Sequence, residues 1–224
     1  MDASGRKLAG WGCGVLVLGA VLVAGTLTWY SARLTGAFKT VKQSEKELVA
    51  ATQEPAAWVP PAGGVPEARR VELFCAVRDS LAEWRGRLAT EEQRHAREDR
   101  GWWSRAGGAS DLAQTMAEYW VARNKALGRA GLGPGEYAWL YGLAYYGWLG
   151  HDPAAGRQPG TGAGRAGREA EEFDRLRAQW KGGAGAGAEA VLSPLRARLE
   201  AGWTEETNPV ELIFLADGVA AGGR

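Results

Sequence analysis

The chain has 224 residues, 46% of them hydrophobic, which is material for one globular domain of ordinary size with an apolar segment to spare. Lysine and arginine number 27 against 26 acids, and a net charge of +1 excludes the broad positive field that draws nucleic acid to a protein. Two cysteines, Cys13 and Cys75, offer neither a disulfide framework nor a metal spacing, and leave the redox compartment open.

After a short tail, residues 1–7, the stretch Leu8 to Tyr30 carries no charge and follows Arg6 and Lys7. A helix of that length crosses a hydrocarbon core of about 30 Å, and Trp11, Trp29 and Tyr30 then stand where amphipathic rings meet the two interfaces. The sequence predicts a transmembrane helix over 8–30, with the lipid bilayer as its first partner. A cleaved signal peptide competes, since Val23-Ala24-Gly25 offers small residues to a peptidase, but the apolar run continues past them. Cys13 precedes most of the apolar core, whereas a lipidation cysteine follows it. The flanking charges, Arg6 and Lys7 before the run and Arg33, Lys39, Lys42 and Lys46 after it, place the C-terminal side inward if counted alone. Long domains are exported largely regardless of that count, and the near-empty N-terminus suits the inside. The expectation is a single-pass membrane protein with its domain on the periplasmic side.

Residues 31–54 continue as a helical stalk, with Leu34, Phe38, Val41 and Leu48 at spacings of one helical face and Glu45 interrupting it. Two roles stay open for that stripe, a face lying against the domain and a weak seam for a homo-oligomer. Pro55, Pro60, Pro61, Gly63 and Gly64 break the helix and mark 55–65 as a linker, from which Trp58 can fold back on the core.

A three-helix core follows over 66–150. A long helix is predicted from Pro66, with Glu67 favourable to its dipole and Phe74, Val77, Leu81, Trp84 and Leu88 on one stripe, beside Arg70, Arg78 and Arg85. Glu91 to Arg100 is a charge run read as its solvated continuation, and Trp102 and Trp103, although beside Arg100 and Arg105, are read as packing residues. Gly107 and Gly108 are predicted to end that segment and Ser110 to cap a second helix, roughly Asp111 to Ala130, with Leu112, Met116, Tyr119 and Leu127 on its apolar face and Arg123 amid them. Gly131 and Gly133 close it. Pro134 then opens EYAWLYGLAYYGWL (136–149), apolar on every side and therefore central. The turns are short, as between antiparallel neighbours.

Beyond Gly150 a glycine-rich loop is predicted over 151–168, then short helices over 169–224, among them Phe173, Leu176 and Trp180, and Leu192, Leu195, Leu199 and Trp203. Asn208-Pro209-Val210-Glu211 has the form of a cap, a first-turn proline and a third-position acid, opening a last helix towards Gly218. No run alternates at period two, so the predicted class is all-α: a transmembrane helix plus a small helical bundle.

Arg78, Arg123 and Glu136 are the candidate polar cluster, since each belongs to a helix that otherwise presents apolar surface. One reading makes them the lining of a cleft, with hydroxyls from Tyr119, Tyr137 and Tyr141, for an anionic or polar ligand. The other makes them a buried ion-pair network of Glu136 with one or both arginines, or gives Glu136 a capping role in its own helix. Gly160, Gly162 and Gly164 follow no predicted strand and precede no Gly-Lys-Ser/Thr, so no cofactor is called for. His95 lies in the charge run and His151 in the loop, and neither assembles a metal or catalytic triad locally. Cys75 reads as a small buried apolar side chain.

WVPPAGGVPEARRVELFCAVRDSL (58–81) with ARNKALGRAGLGPGEYAWLYGLAYYGWLG (122–150) resembles a group of uncharacterised bacterial membrane-anchored envelope proteins with one N-terminal apolar segment, a Pro-Pro-x-x-Gly turn, an arginine on the next helix and an aromatic Glu-Tyr-x-Trp helix. The likeness covers about half of the chain and implies a location and a helical fold without a known activity; the glycine-rich stretches after Gly150 depart from it. The resulting expectation is a membrane-anchored binding or scaffolding protein, with a protein partner or a second copy as its ligand. The alternative is a small-ligand-binding protein or enzyme with a cleft near Arg78, Arg123 and Glu136.

Overall fold

The computed structural model describes residues 35–97, 102–153, 155 and 186–211. Among them every regular element is helical, and the helices pack as a bundle. None of these helices is long and apolar enough to cross a membrane. The predicted span 8–30 lies outside the described residues, as do the helix predicted around Phe173 and the far end of the last one.

The first described helix, α1, covers 35–51. It is not a free stalk. Val41 and Leu48 are buried, Asn124 Nδ2 donates to Ser44 Oγ at 3.0 Å, and a Cβ on Gly128 would just touch Leu48. The predicted stripe is therefore spent on the chain's own body at Val41 and Leu48, leaving Phe38 exposed. The segment read as a linker is ordered at its start: a 3₁₀ turn over Pro55–Ala57 precedes Trp58, whose ring lies 5.3 Å from that of Trp139.

The single long helix predicted from Pro66 is two, α2 (Ala68–Ser80) and α3 (Ala82–Arg97), separated at Leu81. The break has a side-chain cause. The Arg78 carbonyl leaves the α-helical ladder, accepts from Leu81 N at 3.1 Å and is also bonded by the Arg85 guanidinium, which holds the turn that redirects the chain. The next helix, α4 (Trp102–Ala130), runs without interruption through Gly107, Gly108 and Ser110, where a boundary was predicted. Glycine costs a helix only about 1 kcal/mol and is a weak prior that tertiary packing overrides; here α4 packs along α3. Its end is as predicted. Gly131 takes φ +62, Leu132 N bonds to Leu127 O and Gly131 N to Gly128 O, a Schellman closure with Leu127 and Leu132 both buried.

The aromatic stretch is covered on every side, as its composition requires, with Tyr137 to Tyr145 buried throughout. It is not one α-helix: α5 (Pro134–Tyr141) passes into a π-helical turn over Gly142–Trp148. Wider winding spaces the rings so that Tyr141 meets Tyr145 edge-on at 4.6 Å and Tyr146 at 5.6 Å. The N-terminus of α5 rests on the 3₁₀ turn so closely that a Cβ on Gly135 would come 2.7 Å from Pro55 O and 2.9 Å from Trp58 Cβ. Backbone cannot yield there, so Gly135→Ala is expected to cost about 1–3 kcal/mol of overpacking. Thermal melting followed by circular dichroism checks it; an unchanged midpoint refutes the contact.

Two short helices, α6 (Ala186–Leu192) and α7 (Arg196–Ala201), flank the 3₁₀ turn Ser193–Leu195 and bury Ala188, Leu192 and Leu199 against α2. A last helical turn occupies 208–211. Glu211 N bonds to Thr207 O, so the predicted cap Asn208 lies inside this turn and its side chain is used elsewhere: it accepts from Tyr146 Oη at 2.6 Å and donates to the carbonyls of Pro153 and Ala155 at 3.0 Å. Those bonds also pin the start of the loop predicted over 151–168, where His151 stacks on Trp203 at 3.9 Å.

Candidate functional site

Three segments far apart in sequence converge on one carboxylate. α2 carries Arg78 near its end, α4 carries Tyr119 and Arg123 one turn apart, and α5 carries Tyr137; the 208–211 turn inserts Glu211 among them. Glu211 Oε1 accepts from the Arg78 guanidinium and the Tyr119 hydroxyl, and from Tyr137 Oη at 2.9 Å. Arg123 Nη1 reaches Oε2 at 3.1 Å. Arg78 turns its remaining edge to the Gly202 carbonyl, donating from Nε at 3.0 Å and from Nη2 as well. All three charged side chains are sealed, with exposures of 1%, 0% and 0% for Arg78, Arg123 and Glu211.

Among the described residues two arginines face one acid here, a positive excess to which Arg85, also buried, adds. The excess faces carbonyls at helix ends: Gly202 O takes Arg78, Arg78 O takes Arg85 Nη1, and Ala201 O takes Arg85 Nη2 at 3.2 Å. These are the C-termini of α7 and α2, where the aligned peptide dipoles present partial negative charge. Burial by itself would raise the Glu211 pKa, but the Arg78 and Arg123 charges and the two tyrosine hydroxyls outweigh it and hold the carboxyl below its ordinary value. Burial raises Tyr119, Tyr137 and Tyr141 above the usual phenol range. At neutral pH the knot is therefore an ionised carboxylate held by two guanidiniums and two neutral phenols, with no group near its titration point to move a proton.

Of the residues singled out in the sequence, Arg78, Arg123, Tyr119 and Tyr137 are brought together, and Tyr141 lies alongside with its ring 5.3 Å from the Arg78 guanidinium and its hydroxyl on Asn208. Glu136 is not among them. It pairs with Arg70, whose Nε donates to Oε1 at 2.6 Å and whose Nη2 also reaches Gly131 O at 2.9 Å, tying the start of α5 to α2. The expected partnership of Glu136 with Arg78 or Arg123 is thus corrected: their carboxylate is Glu211. It sits within the run NPVELIFL, whose form of a helix start gives Glu211 a capping role in the sequence; the signal that a buried acceptor is needed is the placing of Arg78 and Arg123 on otherwise apolar faces.

No family model matches this chain, nor does any curated protein or solved structure. The geometry alone carries the functional reading. Arg78, Arg123 and Glu136 do not line an open cleft that the structure does contain on another side of α4. That groove, of about 1020 Å³, runs between α1 and α4 and reaches the α2–α3 break. Leu48, Leu81, Trp84, Ala117 and Val121 make its apolar surface, with Glu47 and Glu118, Lys125 and Arg129 at its rims.

One further expectation can be placed. Cys75 is buried, and burial pushes its thiol up to about 11, so it behaves as a packing residue rather than a nucleophile. Among the described residues no group of histidine, cysteine, aspartate and glutamate is arranged to hold a metal ion.

Proposed function

We propose that this chain is a single-pass, membrane-anchored helical binding protein of the bacterial envelope, with residues 8–30 in lipid and the helical body holding a partner protein outside it. The observation that carries the reading is the groove between α1 and α4: it is open and mainly apolar, and one of its walls is the helix that leads on from the apolar run. Its occupant is an amphipathic helix of the partner, whose apolar face meets Leu81, Trp84 and Val121 while its flanking charges meet rims of both signs. The sealed Arg78–Glu211–Arg123 knot supports this reading, because the two arginines that were candidates for lining a ligand cleft are already paired with a buried carboxylate.

Thr40→Trp tests it. Thr40 is exposed on the groove wall, so an indole there fills the groove without entering the core. The partner recovered with the full-length chain from detergent-solubilised membranes is expected to be lost on Thr40→Trp and kept on Gln43→Glu, a nearby exposed position that does not line the groove. Equal recovery from both variants overturns the groove as the binding surface.

A further inference from the structure

The outer face of α1 is a second surface, turned away from the groove. Lys39, Lys42 and Lys46 follow one another at helical spacings of three and four and are all exposed, and Phe38, 44% exposed, flanks them within the same arc. Of the two acids of this helix, Glu45 lies seven positions from Phe38 at the half-buried edge of the arc, and Glu47 points to the groove rim, where Gln43 Nε2 bonds to it at 2.9 Å. The opposite side of the helix is committed to the body through Val41, Ser44 and Leu48. α1 cannot rotate about its own axis without tearing out those contacts, so the lysine stripe has a fixed direction relative to the whole bundle.

We propose that this stripe is a docking face for an anionic lipid surface, and that it lays the body along the bilayer instead of raising it on a stalk. The inference rests on the reading of residues 8–30 as a membrane anchor. Only residues 31–34 separate that run from the start of α1, a reach on the order of 15 Å for an extended chain. A helix of this length standing upright would carry Lys46 roughly 15 Å further from the headgroups than residue 36, beyond a Debye length of about 8–10 Å. Lying flat, it keeps all three ammonium groups within the negative surface potential and places Phe38 at the headgroup–acyl boundary, the arrangement of an interfacial amphipathic helix. Lysine suits this role because it meets phosphate as a point charge on a flexible stem and needs no fixed fork geometry. The ligand chemistry is the net negative charge of an anionic headgroup array, which neither a zwitterionic leaflet nor a phosphate in solution supplies.

The test uses the full chain carrying Cys13→Ser, with an environment-sensitive probe attached at Thr35→Cys on the basic face or at Lys125→Cys on the groove rim; Cys75 is buried and stays unlabelled. The protein is reconstituted in phosphatidylcholine vesicles with or without phosphatidylglycerol, and collisional quenching by acrylamide is read. Quenching at position 35 is expected to fall several-fold in the anionic vesicles and to be restored by Lys39→Glu/Lys42→Glu/Lys46→Glu, with position 125 unaffected. Inorganic phosphate added to the neutral vesicles is expected to leave position 35 fully quenched. Equal shielding in both lipids, or shielding that survives the triple substitution, overturns the docking face. An alkaline carbonate wash scores the anchor separately: a chain stripped from both kinds of vesicle removes the anchor reading, whereas lysine-dependent shielding in anionic vesicles still supports the face.

Discussion

Replacing Glu211 by alanine is expected to lower stability by about 3–5 kcal/mol, the usual range for stranding a buried charge, and so to reduce the melting temperature by roughly 10 °C or more in a domain of this size. The effect is large because four donors converge on this one side chain. Without it Arg78 keeps the Gly202 carbonyl and the Tyr119 and Tyr137 hydroxyls but loses its carboxylate, and Arg123 loses the carboxylate it reaches through Nη1. Glu211→Gln keeps the volume and one acceptor oxygen but no charge, and belongs between the wild type and alanine. The acid limb of stability discriminates the mechanism. A carboxyl whose folded-state pKa lies below its unfolded value contributes stability that is complete above the ordinary 4.5 and is lost as pH falls through the folded value. Melting temperature against pH should therefore fall more steeply below about 4.5 in the wild type than in Glu211→Gln. Parallel curves would show that the carboxylate is not the group that couples folding to protons.

Arg78→Met should be nearly as costly, for a different reason. The substitution preserves much of the aliphatic stem, yet it removes the donors on Gly202 O and one of the two cations on Glu211. A buried carbonyl left without a donor costs about 1–3 kcal/mol, and the half-paired carboxylate adds to it, for a total of about 3–5 kcal/mol. With only Arg123 left, the Glu211 pKa rises towards its unfolded value, so the stability lost on acidification shrinks relative to the wild type. Arg78→Lys separates charge from shape. A lysine restores one positive charge but cannot span Glu211 and Gly202 O together, so recovery of less than half of the lost stability is the expected outcome of chemical denaturation. Full recovery by lysine would mean that the guanidinium fork has no role in joining α7 to the 208–211 turn.

Local features were legible in the sequence where they rest on local physics. The burial of the aromatic stretch follows from rings on every side of one helix, and the Gly131 and Pro134 punctuation follows from backbone freedom at the one and restriction at the other. The break at Leu81 was hidden, because the stripe through Phe74, Leu81 and Leu88 continues in phase across it and all three are buried; the cause is a side chain seven positions from the carbonyl it satisfies. The continuity of α4 through Gly107 and Gly108 was hidden for the opposite reason, since packing along α3 outweighs a local preference of about 1 kcal/mol per glycine. In the candidate cluster, arginines placed on apolar faces announced that buried cations needed an acceptor, without naming it.

Helical class, the all-round burial of 137–145 and the presence of core arginines were determined by the sequence itself, through side-chain periodicity and the cost of leaving a charge unpaired in a core. The tertiary structure decided which carboxylate answers them. Arg78 and Glu211 are 133 positions apart and Arg123 and Glu211 are 88 apart, whereas Glu136, nearer in sequence to both arginines, is taken by Arg70. Pairing over such separations depends on where whole helices come to rest, because Coulomb attraction selects the acid that packing brings within reach and not the one closest along the chain.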